Sequence, residues 1–122
     1  MTDFDYMIGK TIESVIGLEY QSDEVIITFT DFTHVIFKHY QECCENVYLE
    51  DYELTGKLEY GVINDAYSTT KYAEDNDNEE LELWTFYNIN TNKGTLNLRW
   101  YGSSNGYYGV GVNVNYIEKE YK

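Results

Sequence analysis

LELWTFYNINTNKGTLNLRW, residues 81–100, reads as two strands joined by a tight turn. Leu81, Leu83, Thr85, Tyr87 and Ile89 fall on one side of an extended chain, while Trp84 and Phe86 fall on the other. A run that is apolar on both sides belongs in the middle of a sheet. Asn92, Lys93 and Gly94 supply the turn, and Leu96, Leu98 and Trp100 then resume the same period of two.

The alternation extends outward from this hairpin in both directions. Val25, Ile27 and Phe29 share one face of an earlier strand, Val35, Phe37 and His39 share a face of the next, and residues 31–33 turn the chain between them. Val47 and Leu49 continue the pattern, and Val110, Val112 and Val114 close it. Helical signals are confined to two short turns, at residues 3–8 and 54–60, the second stopped by Gly61. The chain therefore reads as one mainly β domain over residues 1–122, α+β at most, with about seven or eight antiparallel strands. A single curled sheet, a sandwich and a barrel all fit that count.

Composition narrows function. The 122 residues are 43% hydrophobic with 14 Tyr and 5 Phe, enough apolar surface to offset the chain entropy lost on folding. Eight Lys and Arg against 22 Asp and Glu leave a formal charge of -14. Such a field favours a basic protein as partner. Direct nucleic-acid binding is disfavoured, since phosphate contacts rely on Lys and Arg and the only arginine is Arg99. The opening MTDFDYMIGK puts acids where a signal peptide has a basic head, and no apolar run approaches the roughly 20 residues needed to cross a bilayer. A cytoplasmic protein without a membrane role is the expectation.

Charge is also segregated. Residues 42–82 hold thirteen acids and two lysines, whereas residues 83–117 hold no acid. The densest run, AEDNDNEE at residues 73–80, reads as an acidic loop, and its Glu74, Asp75, Asp77, Glu79 and Glu80 are the candidate contacts to a basic partner. The acid-free part carries Arg99, Trp100, Tyr101, Tyr107 and Tyr108. Those rings beside one guanidinium could stack a nucleobase and hold a phosphate, or could simply fill a core.

Both histidines and both cysteines fall within HVIFKHYQECC, residues 34–44. Zinc takes imidazole and thiolate tetrahedrally, and His39, Cys43 and Cys44 with a carboxylate from Glu50 or Asp51 could close a structural site. Asp51 is the preferred fourth ligand because it keeps step with Val47 and Leu49; His34 is the alternative, although it lies on the opposite face from His39. Adjacent cysteines rarely close a disulfide in extended chain, so free thiols or metal ligands are expected. The competing reading places a cysteine and His39 in the core as small, satisfied groups. A thiol enzyme is disfavoured, because Glu42, Glu45, Glu50 and Asp51 would raise a thiol pKa. The glycine-rich residues 102–111 lack the lysine of a phosphate loop, and no carboxylate pair stands out from an acidic surface.

HYQECCENVYLED and LNLRWYGSSNGYYGVGV together resemble a family of small proteins of phages and prophage-bearing bacteria. The likeness runs from Ile8 to Ile117. It matches an HxQxCCExVxxED pattern at His39, Gln41, Cys43, Cys44, Glu45, Val47, Glu50 and Asp51, and a Trp-Tyr-Gly pattern at Trp100, Tyr101 and Gly102. The acidic residues 73–80 depart from it. In size, acidity and lack of enzyme motifs the chain also resembles anti-CRISPR proteins, several of which present carboxylates to the basic channel of an effector. That resemblance implies a non-enzymatic inhibitor of a host defence nuclease such as a Cas9-type effector, acting in the host cytoplasm. It also tips the cysteine and histidine cluster toward a structural zinc ion held by His39, Cys43, Cys44 and Asp51.

Overall fold

The computed structural model describes residues 4–73, 81–105 and 109–118. A short 3-10 turn at Asp5–Met7 is followed by eight strands: β1 (Ile12–Ile16), β2 (Glu24–Phe29), β3 (His34–Lys38), β4 (Asn46–Gly56), β5 (Ile63–Tyr72), β6 (Leu81–Thr91), β7 (Gly94–Ser104) and β8 (Asn113–Ile117). They form two four-stranded antiparallel sheets, in the order β1-β2-β3-β8 and β4-β7-β6-β5. The protein is thus mainly β, and of the three architectures that fit the strand count it takes the two-sheet one.

The hairpin at residues 81–100 forms as its sequence requires. β6 pairs with β5 on one side and β7 on the other, so both its edges are paired within the sheet. Thr91 Oγ1 accepts hydrogen bonds from the Lys93 and Gly94 amides at 3.1 and 2.9 Å and donates to Gly94 O at 2.8 Å, which fixes the turn. Leu83, Thr85, Tyr87 and Ile89 of β6 point inward with Leu96, Leu98 and Trp100 of β7. Tyr87, Ile89, Leu96, Leu98 and Trp100 meet Val25, Ile27, Phe29, Val35 and Phe37 of the other sheet in one hydrophobic core. Phe37 and Tyr87 make that contact directly, ring centroids 4.8 Å apart. Full burial of each large aliphatic or aromatic group contributes on the order of 1.5–3 kcal/mol.

The β2–β3 hairpin turns where expected. Asp31 Oδ1 accepts from the Thr33 amide at 3.1 Å and the Thr33 hydroxyl at 2.5 Å, and Lys10 Nζ pairs with Asp31 Oδ2 at 2.5 Å. Those donors hold the Asp31 carboxyl down to about 2, with the Lys10 bond the largest cause.

Three expectations are corrected. Among the described residues the first turn is helical at Asp5–Met7 alone. Residues 54–60 are not helical: β4 runs through Gly56, where a φ of +78° ends the strand, because Gly56 faces Gly94 of β7 across the ladder. The last strand begins at Asn113, after Val110 and Val112. Val110 is instead buried against Gly102, where an added Cβ would lie 2.6 Å from Val110 O. The acidic residues 74–80 and Tyr107 and Tyr108 lie outside the described residues.

Candidate functional site

The link between β3 and β4 is organised by one carboxylate. Glu45 precedes β4, and its side chain is fully withdrawn from solvent. Its Oε2 accepts from His39 Nε2 at 2.7 Å and the Glu42 amide at 2.9 Å, and its Oε1 accepts from the Cys43 amide at 2.9 Å. Burial pushes the Glu45 carboxyl up, but the His39 bond and the two amides outweigh it and bring it down to about 2. His39 Nδ1 donates to Gly111 O at 2.7 Å. Gln41 Nε2 adds bonds to Glu45 O at 2.5 Å and Cys43 O at 3.2 Å.

This clasp explains where the expected zinc ligands go. His39 does continue the inward face of Val35 and Phe37, but both its nitrogens are taken by Glu45 and Gly111. Cys43 and Cys44 sit in a bend rather than extended chain, and they are joined to each other as a disulfide. The expectation of free thiols or metal ligands is corrected on that point, because the bend brings together side chains that a strand would hold apart. Asp51 is not on the inner face. The β4–β7 register shifts between Leu49 and Asp51, and this bulge at Glu50 turns Asp51 outward opposite Arg99. His34 lies on the other face of β3, as expected, against Thr28 Oγ1 at 3.0 Å. Among the described residues no group of three or more His, Cys, Asp or Glu is placed to hold a metal ion.

A second arrangement lies on the outer face of the β4-β7-β6-β5 sheet. The registers align Lys71, Trp84, Tyr101 and Tyr48 in one row across the four strands, and Thr69, Phe86, Arg99 and Asp51 in the next. The Tyr101 ring lies 5.2 Å from Trp84 and 5.7 Å from Tyr48, and its hydroxyl donates to Glu82 Oε2 at 2.5 Å. Burial, followed by that bond, pushes the Tyr101 hydroxyl up to about 12. Arg99 Nε lies 2.8 Å from Glu50 Oε1, and its Nη2 lies 3.5 Å from Asp51 Oδ2.

The proposed nucleotide trio is therefore split. Arg99 and Tyr101 point outward, whereas Trp100, 1% exposed, is part of the core. Its expected stacking role is corrected by strand alternation, which cannot place three consecutive residues on one face. Glu45 was the residue that composition hid among neighbouring acids. The signal was its phase: residues 45, 47 and 49 keep the same step, so the inward pattern of Val47 and Leu49 reaches back to it.

These features define the class: an acidic, two-sheet antiparallel β protein with a carboxylate-held link at one end and an aromatic outer face. The chain belongs to the family described as a domain of unknown function, DUF7448, which matches residues 5–114. No curated protein and no solved structure matches it. Among the described residues no helix is long and apolar enough to cross a membrane.

Proposed function

We propose that the protein is a non-enzymatic inhibitor that docks through an acidic surface on a basic, nucleic-acid-binding face of a host defence nuclease, above all a Cas9-type effector, in the host cytoplasm. One observation supports this reading: among the described residues three of the few cations, the only arginine included, are already matched by carboxylates. Lys10 pairs with Asp31, Lys38 with Glu24 at 3.8 Å, and the only arginine with Glu50 and Asp51. With 22 acids against 8 bases, carboxylates remain in large excess. A surface of that sign steers basic surfaces toward it and repels phosphate. Effectors of this type hold nucleic-acid backbones in a positively charged channel, which is the complementary chemistry.

Sequestering a nucleotide draws less support, because Arg99 is engaged by two carboxylates and Trp100 is in the core. The test is the association rate with an immobilised Cas9-type effector lacking guide RNA, measured from about 0.05 to 0.5 M salt. A rate falling steeply with salt is expected. A salt-independent rate, or no binding, removes the proposal.

A further inference from the structure

The aromatic band on the outer face of the β4-β7-β6-β5 sheet is unlike an ordinary solvent side. Trp84, Phe86, Tyr101 and Tyr48 stand together on it, and all four are only half-buried. The two depressions on this face are lined solely by residues of β4 to β7, so no other described element supplies a cover. One of about 380 Å³ lies beside Phe86 and Arg99 and is bordered by Asp51 and Glu53. The other, of about 420 Å³, lies between Trp84, Lys71 and Glu50.

The charge around the rings identifies the occupant. Glu50, Asp51 and Glu53 stand on β4 and Glu82 on β6, against Lys71 and Arg99. Arg99 is already held by Glu50 and Asp51, which leaves the rim negative. A ring face with a carboxylate at its edge suits a guanidinium, which stacks on the ring and donates to the acid. A phosphate would meet repulsion at the same rim. The geometry points to this face as the docking surface for an arginine-bearing basic segment of a partner protein. Guanidinium planes stack on Trp84, Phe86 and Tyr101, and their N–H groups pair with Glu53.

This inference rests on the reading that the partner is basic, and it moves the contact from residues 74–80 to the sheet. The probe is a nona-arginine peptide titrated into ¹⁵N-labelled full-length protein. Shifts are expected along β6 and β7 and at the Trp84 indole, and Trp84→Thr is expected to weaken binding about tenfold, as loss of a stacked cation does. Threonine keeps strand propensity, and Phe86→Thr serves if the first variant does not fold. Replacing Glu74, Asp75, Asp77, Glu79 and Glu80 with Gln or Ser is expected to leave the shift map in place. Shifts confined to other surfaces, with parental affinity in both threonine variants, overturn the inference while a basic partner still stands. No shift at all at about 50 mM salt overturns both.

Discussion

Glu45 Oε2 and His39 Nε2 lie 2.7 Å apart, with side-chain exposures of 0% and 8%, and they tie the β3–β4 link to the segment before β8 through Gly111. The carboxylate is the hub of this arrangement and the imidazole is one spoke. Glu45 serves three donors, two of them backbone amides that no strand ladder satisfies. Removing one acceptor shared by three donors costs more than removing one donor.

The two partners are therefore unequal. Glu45→Ala is expected to lower the urea midpoint more than His39→Ala, because the first change removes the acceptor of His39 Nε2 and of both amides while the second leaves Glu45 two donors. Glu45→Gln is expected to fall between them. Equal losses for the two alanine variants would show that the pair acts as an isolated contact.

Acid stability follows from the same carboxyl and from Asp31. Both are held at about 2, below their ordinary values of 4.5 and 3.8. Between those limits the unfolded chain binds more protons than the folded one, so the stability they contribute is present above about pH 5 and is lost as pH falls toward 2. The relief of a -14 charge works in the opposite direction, so the informative quantity is the difference from variants. Urea midpoints measured across this range should fall more steeply for the parent than for Asp31→Asn or Glu45→Gln. Parallel curves would contradict the assignment.

The strands were legible where burial imposed alternation and illegible where it did not. The β6–β7 and β2–β3 hairpins follow their apolar period, and the turns at Asn92 and Asp31 fall where turn chemistry puts them. β5 left no such trace: beyond Ile63 and Ala66 its residues are exposed, because it is an edge strand held mainly by its ladder to β6. Within the candidate site, Asp51 was read onto the wrong face. Reading Asp51 inward required an unbroken β4, and the bulge at Glu50 reverses every side chain after it. A single inserted residue has no compositional signature, so the zinc ligand set and the Arg99 ion pair could not be told apart from sequence.

Zinc content tests that correction. His39 has no free nitrogen, Asp51 faces the other side of the sheet, and Cys43 and Cys44 are joined. Protein purified without a histidine tag is expected to carry less than about a tenth of an equivalent of zinc and to melt at the same temperature in chelator. One equivalent of zinc, lost together with stability on chelation, would restore the metal-centred reading of this link.

The central claim is that an acidic surface of this chain occupies a basic nucleic-acid channel of a defence nuclease. The most direct measurement is DNA cleavage by a Cas9-type effector with the protein added either before or after guide RNA. Cleavage is expected to be lost when the protein is added first and largely retained when guide RNA already fills the channel, with the inhibition weakening as salt rises. Full cleavage at saturating protein in both orders would contradict the account.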